Sequence, residues 1–192
     1  MINAATLRIS HHDAEGARAI EDELFAVYAE VYADRLDNPF FSVERFAERF
    51  RAHSSRPGYA LVAGYVAGKL VGYAYGVPLA AHTRWWEGLR EPVEPGLTDE
   101  TGRRTFGLNE IMVLAEWRRR GIARRLHDEL LAARPEERAT LLVEPTNVAA
   151  RSAYQAWGWR LIGHIRPFPD APVYDAMLLD LRSVKLLGAD GS

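Results

Sequence analysis

The sequence predicts one α/β domain built on a mixed sheet, and three observations carry that expectation. From Thr105 onward, short apolar runs alternate with stretches at helical spacing, and a strand–helix–strand unit requires its two strands to lie parallel with the helix crossing one face. The N-terminal part reads instead as two helices followed by a hairpin. The length, 192 residues of which 48% are apolar, fits one domain of ordinary size with a core that needs no staples. The domain is expected over residues 1–182, with a frayed tail over 183–192.

The first helix is expected to run from Asp13, a residue suited to the N-cap, to about Ala33, because Ile20, Leu24, Val27, Tyr28 and Val31 recur at helical spacing. A second begins at Ser42, sets Val43, Phe46 and Phe50 on one face, and stops before Pro57-Gly58. Between them lies a turn, Asp37 to Phe41, whose two aromatics, Phe40 and Phe41, look exposed. The period then changes to two, predicting strands over 59–66 and 69–77 joined across Ala67-Gly68 and ended by Pro78. Residues 79–104 hold no period, and their Pro and Gly content predicts a long ordered loop around Trp85-Trp86, with at most one helical turn. Then come a strand to Val113, a helix from about Arg119 to Ala133, a strand over 140–144, a helix from about Asn147 to Trp157 stopped by Gly158, and strands over 159–165 and 173–181.

Composition excludes several classes. With no cysteine there is no disulfide, thiolate metal site or iron–sulfur cluster, and the protein supplies no sulfur nucleophile. A net charge of -2 argues against a chain that binds nucleic acid with its whole surface. Lys69 and Lys185 are the only lysines, so 22 of the 24 basic residues are arginine, a bias that weakens any argument from arginine alone. No apolar run reaches the roughly 18 residues of a membrane span, and the N-terminus lacks a basic segment leading into an apolar one, so a cytoplasmic protein without membrane contact is expected. The histidines, His11-His12 included, form no pair with acidic partners at ligand spacing, so no metal is expected.

The chemistry concentrates after Val113. A strand runs into a turn, the turn delivers Gly121, and a helix begins where five of the eight residues from Arg118 to Arg125 are arginine. Free N–H groups and the positive end of the helix dipole then converge, and Gly121 lets an anion approach the backbone. Such a turn cradles a pyrophosphate; the alternative is a solvated basic helix. Neither the Gly-x-x-x-x-Gly-Lys-Ser/Thr nor the Gly-x-Gly-x-x-Gly pattern occurs, so on the cradle reading the expected ligand is a different phosphorylated cofactor. In the next helix Asn147, Ala150 and Tyr154 share a face, with Arg151 beside them.

These two segments resemble the GNAT superfamily of acyl-CoA-dependent N-acyltransferases. Arg118, Arg119, Arg120, Gly121, Ile122 and Ala123 match its Arg/Gln-x-x-Gly-x-Gly/Ala signature, with Ala123 the less common option and Arg119 where a small residue is frequent. Asn147, Ala150, Tyr154 and Gly158-Trp159 match its second element, with Trp159 in place of Phe. The resemblance implies a splayed sheet of six to seven strands with two N-terminal and two crossover helices. It also implies backbone contacts from Met112 and Val113 to a pantetheine arm, a pyrophosphate held by N–H groups from Arg119 to Arg124, and an arm contact from Asn147. Arg118, Arg124 or Arg151 would reach outer phosphates. It further implies acetyl-CoA as donor and direct transfer to a small-molecule, amino-acid or peptide amine. The alternative is a non-catalytic acyl-CoA-binding module of the same fold. Homodimers are common in the family, yet no exposed apolar stripe identifies an interface here.

An amine nucleophile must lose a proton before attack, and Glu110 is the candidate base, directly or through water; its alternative is a solvated or salt-bridged strand carboxylate. A backbone N–H near Ile111 or Met112 would stabilise the oxyanion. Tyr154 is the candidate acid for the departing sulfur, and its alternative is a packed tyrosine with a satisfied hydroxyl. Tyr28, Tyr32, Phe40, Phe41, Tyr73, Tyr75, Trp85 and Trp86 are candidates for an acceptor wall that could hold a cationic amine, each with core packing as its alternative. His82 is a second candidate base.

Overall fold

The structure, a computed structural model, describes residues 7–182; the tail expected over 183–192 lies outside the described residues. Seven strands are hydrogen-bonded in the order β1-β2-β3-β4-β5-β7-β6, and five helices accompany them among the described residues. The chain forms two compact units that interleave in sequence: one runs to Val77 and resumes over Leu108–Ala133, the other takes Pro78–Gly107 and everything from Arg134.

The first unit opens with β1 (Arg8–His12), which the sequence reading left out, paired antiparallel with β2 (Ala60–Val66). The expected single helix to Ala33 is two, α1 (Ala14–Ala19) and α2 (Glu21–Val31). Asp13 does cap, its Oδ1 accepting from Gly16 N at 2.9 Å. The break falls at Ile20, whose φ of -116° leaves the helical region. Apolar spacing continues through it, but Glu21, Asp22 and Glu23 place three carboxylates in the first turn of α2, where a new N-terminus favours them.

Residues Pro39–Phe41 form a 3-10 turn in which Phe40 and Phe41 are buried, correcting their expected exposure. Their rings are covered by cations a few residues away on either side: Arg45 stands 4.7 Å from the Phe40 centroid and Arg35 3.7 Å from that of Phe41. Helix α3 (Val43–Ser54) starts where expected, with Ser42 Oγ accepting from Arg45 N. Strands β2 and β3 (Lys69–Pro78) form the expected hairpin, and positive φ at both Ala67 (50°) and Gly68 (81°) gives the turn that matches the strands' twist. The core of this unit is aromatic: Tyr28 stacks on Phe46 with centroids 3.9 Å apart, and Tyr73 and Tyr75 are fully buried among Leu24, Phe50 and Leu61.

Strand β4 (Thr105–Val113) passes from one unit to the other at Gly107 and Leu108. Helix α4 (Ile122–Ala132) closes the first unit and starts three residues later than expected, because Arg119 takes a left-handed φ of 58° and the chain first makes a 3-10 turn over Ala115–Trp117.

In the second unit, Thr105–Gly107 pair in parallel with Arg138–Thr140 of β5 (Arg138–Val143), as a strand–helix–strand unit requires. Helix α5 (Val148–Ala156) leads to β6 (Arg160–Ile165), but β6 does not pair with β5: the last strand, β7 (Tyr174–Asp180), lies between them, antiparallel to both. The segment from Leu79 to Arg104 is turns without a helix. It builds a small core of Leu79, Trp86, Leu97 and Leu178.

Candidate functional site

The predicted residues fall into two sets. Glu110, Met112, Val113, the Arg118–Arg124 turn, Tyr28, Tyr32, Phe41, Tyr73 and Tyr75 belong to the first unit; Asn147, Ala150, Arg151, Tyr154, Trp85 and Trp86 belong to the second.

In the first, the β4 strand ends in buried Met112 and Val113 and is tied to β3 by Leu114 N donating to Val71 O at 2.9 Å. The chain then turns through Arg119 and Gly121, both left-handed, and enters α4. Gly121 (φ 77°) occupies the N-cap with no side-chain cap, and a Cβ built there would meet nothing within 4 Å. The helix start therefore has first-turn N–H groups without a side-chain acceptor beside open space, which fits an anion such as a phosphate group. The arginines around it are partly engaged. Arg118 Nε donates to Val113 O at 3.1 Å, Arg120 donates to Glu116 O and lies over Trp117, and Arg124 pairs with Asp128 at 2.6 Å. Val113 O is thus already bonded once, and Arg119, with its side chain in solvent, is the freest of the turn's cations among those described.

Glu110 keeps intermediate exposure, yet protein surrounds it so closely that lost solvation pushes its carboxyl from the ordinary 4.5 to about 7, with Arg49 opposing the shift. Its charge is felt by Tyr28, Tyr73 and Tyr75, whose hydroxyls are all raised, first by burial and then by Glu110; Tyr28 reaches about 12. These tyrosines are core residues rather than an open wall: Tyr28 OH donates to Phe41 O at 3.0 Å and Tyr73 OH to Leu24 O at 3.2 Å. Tyr32 keeps partial exposure and stacks on Tyr28 at 4.6 Å.

Sequence reasoning missed a second polar group, where α3 meets Asn109 of β4. His53, one helical turn after Arg49 on α3, brings Nε2 to 3.5 Å from Asn109 Nδ2, and burial lowers its pKa to about 4, so it is neutral near pH 7. His53 Nδ1, Asn109 Oδ1 and the Tyr59 hydroxyl are buried without partners. An i, i+4 pair of Arg49 and His53 on an amphipathic helix was the available signal, masked by the chain's surplus of arginine.

In the second unit Asn147 caps α5, its Oδ1 accepting from Ala150 N at 3.2 Å. Arg151 is bound to Asp175 at 2.6 Å and to Pro145 O, which accounts for its charge without an outer phosphate. Tyr154 is buried, edge-on to Trp157 and Trp159 at 5.6 and 6.0 Å. Trp86 donates to Glu100 from the loop core, Trp85 is half-buried, and His82 is exposed in a turn. Among the described residues no group of three or more His, Cys, Asp or Glu is arranged to hold a metal ion, and no helix is long and apolar enough to cross a membrane.

The Acetyltransferase (GNAT) family model matches residues 21–159. Solved structures agree on the fold. An aminoglycoside 6'-acetyltransferase type Ii is 17% identical with a TM-score of 0.62, over 91% of this chain and 97% of that one. A spermidine N-acetyltransferase SpeG chimera from Vibrio cholerae and hSSAT is 14% identical with a TM-score of 0.62, over 94% and 99%. A PaiA N-acetyltransferase from Thermoplasma acidophilum, solved in complex with coenzyme A, is 13% identical with a TM-score of 0.57, over 91% and 98%. No curated protein matches the sequence.

Proposed function

Since the chain belongs to the GNAT acetyltransferase family, we propose that it moves an acetyl group from acetyl-CoA to a primary amine by direct transfer. The observation that carries the reading is Glu110: a carboxyl poised at about 7, on the strand that runs straight into the open helix start at Gly121. An acid at that value is half ionised near neutral pH, so it can take a proton from an ammonium-bearing acceptor and still be the right form in a large fraction of molecules. The donor brings the activated thioester; the remaining work falls to this chain's groups. Glu110 takes the amine proton, a backbone N–H near Ile111 or Met112 stabilises the charge that develops on the acyl oxygen, and the Tyr154 hydroxyl returns a proton to the departing sulfur. The first-turn N–H groups from Arg119 to Arg124 hold the pyrophosphate, and Asn147 bonds the pantetheine arm. With no cysteine in the chain, no acyl-enzyme on a thiol can form, which supports transfer without a covalent stage.

The test mixes protein, acetyl-CoA and a panel of amines, and follows thiol release beside thermal stability. Ligand at about 100 times its dissociation constant adds roughly 2.7 kcal/mol, a rise of several degrees. Both signals together support the enzyme. A thermal rise without thiol release from any amine leaves the non-catalytic acyl-CoA-binding module, and no rise with any acyl-CoA removes both readings. Tyr154→Phe is expected to lower kcat with coenzyme affinity kept; equal loss of both assigns the residue to packing.

A further inference from the structure

The neighbours that are named for aminoglycoside and spermidine acetylation take acceptors with several positive charges. The groups around Glu110 are arranged for something else. Arg49 projects from α3 with Nη1 donating to Phe40 O at 3.2 Å and its guanidinium 5.4 Å from the Phe40 centroid. No carboxylate of a described residue stands within ion-pair distance of it. Its charge nevertheless reaches Glu110, Tyr28, His53 and Tyr75. A guanidinium offers five donors in a fixed fork, and this half-buried one, which spends donors on the Phe40 carbonyl and the Tyr28 hydroxyl and has no carboxylate within ion-pair distance, keeps others in a place where solvent competes poorly.

The charge inventory points the same way. Arg35 and Arg49 act on Tyr28, and Arg49 and Arg56 act on His53, while Glu110 is the one carboxylate felt by Tyr28, Tyr73 and Tyr75. A polycation entering here would meet arginines and a single acid that must itself accept a proton. An acceptor with one amine and one anionic end would satisfy both signs. Nearby, His53 Nδ1, Asn109 Oδ1 and the Tyr59 hydroxyl are buried atoms with no partner, and a buried polar atom without one is costly unless a ligand supplies it.

We propose that the acceptor is an amine that also carries a carboxylate, its carboxylate received by the Arg49 guanidinium while its amine faces Glu110. The inference rests on the acetyl-transfer reading and adds the substrate class. Arg49 is a binding residue; the transfer itself, amine proton to Glu110 and acyl group to nitrogen, is unchanged by it.

The experiment uses matched trios on the full chain: an amino acid, its carboxamide, and the amine left when the carboxylate is removed, across several side chains. Thiol release gives kcat/KM for each. The amino acid is expected to exceed both counterparts by about ten- to a hundredfold, the range of a charge-assisted hydrogen-bonded pair. Arg49→Gln is expected to erase that ratio, and Arg49→Lys, which keeps a point charge but not the fork, to retain part of it; melting temperatures check that both variants fold. A structural role for Arg49 would lower all three rates together and leave the ratio intact. Amines without a carboxylate turning over as fast as the amino acids would overturn the proposal while leaving acetyl transfer standing. Thiol release from no amine at all, with acetyl-CoA still stabilising the protein, would remove the transfer reading and this inference with it.

Discussion

Glu100 in the second unit and Glu110 in the first are both carboxylates set among aromatic and apolar neighbours, but their surroundings differ. Glu100 Oε1 accepts from Trp86 Nε1 at 3.1 Å, Thr105 Oγ1 at 2.8 Å and Arg138 Nη2 at 3.1 Å, and Arg138 binds Leu97 O in turn. The carboxylate of Glu110 accepts no hydrogen bond from a described residue, and its nearest influence is a guanidinium held elsewhere. The helix starts repeat the contrast: α5 is closed by Asn147, whereas α4 begins at an uncapped Gly121. A buried charge that the fold needs is paired, because leaving it unpaired costs stability. Buried side-chain atoms without a hydrogen-bond partner occur in both units, Glu100 Oε2 in the second and His53 Nδ1 in the first among them, so the contrast lies between Glu100 Oε1 and the Glu110 carboxylate rather than between whole units.

Glu110→Gln attacks the open side and has the largest expected effect, a drop of about 100- to 10,000-fold in kcat/KM with coenzyme affinity kept. In the wild-type protein kcat/KM should rise with pH through about 7 as Glu110 ionises, and the variant should lose that limb. Stability carries the opposite sign. The folded protein holds the Glu110 proton up to about 7, whereas the unfolded chain releases it near the ordinary 4.5. The contribution is therefore complete below 4.5 and lost as pH rises through about 7. The variant should be the more stable protein at pH 8, by at most roughly 3 kcal/mol and less where solvent screens the group. An unchanged rate, or a less stable variant at pH 8, would make Glu110 an ordinary structural carboxylate.

Glu100→Ala attacks the closed side. Removing one partner leaves Arg138 buried beside Thr105 and Leu97 O, with an expected loss of about 3–5 kcal/mol in denaturant unfolding and little change in the activity of the folded fraction. A loss below about 1 kcal/mol would mean that the loop core does not depend on this pair.

The closed side was partly legible in the sequence and the open side less so, for physical reasons. Caps are local: Asp13, Ser42 and Asn147 could be assigned from residue type and the apolar pattern behind each. Strand β1 could not, because Arg8–His12 is short, offers one strongly apolar side chain, Ile9, and takes its place only by pairing with β2. Insertion of β7 between β5 and β6 is likewise a tertiary choice that no local period encodes. Glu110 could be named from its place before the turn. Arg49, His53 and Asn109 could not, since their meeting depends on how α3 lies against β4, 56 residues apart for the His53–Asn109 contact.

Gly121→Ala tests the open helix start with a smaller change. The φ of 77° is left-handed, so alanine costs roughly 1–2 kcal/mol of backbone strain, although its methyl meets no neighbour. Both melting temperature and coenzyme affinity should fall. If affinity holds while stability drops, the turn is not the phosphate cradle.

The smallest change separates the two meanings of Asn147. As a cap it contributes about 1 kcal/mol, and aspartate caps equally well, with a charge that a helix N-terminus welcomes. Asn147→Asp should therefore leave the melting temperature within a degree or two of wild type, while Asn147→Ala lowers it. An amide also donates through its NH2, which a carboxylate cannot do. If Asn147 holds the pantetheine arm through that donor, Asn147→Asp weakens coenzyme binding at unchanged stability, measured by calorimetry. If affinity follows stability in both variants, Asn147 is a helix cap and nothing more, and its side chain is as fully used by the fold as Glu100 Oε1 is.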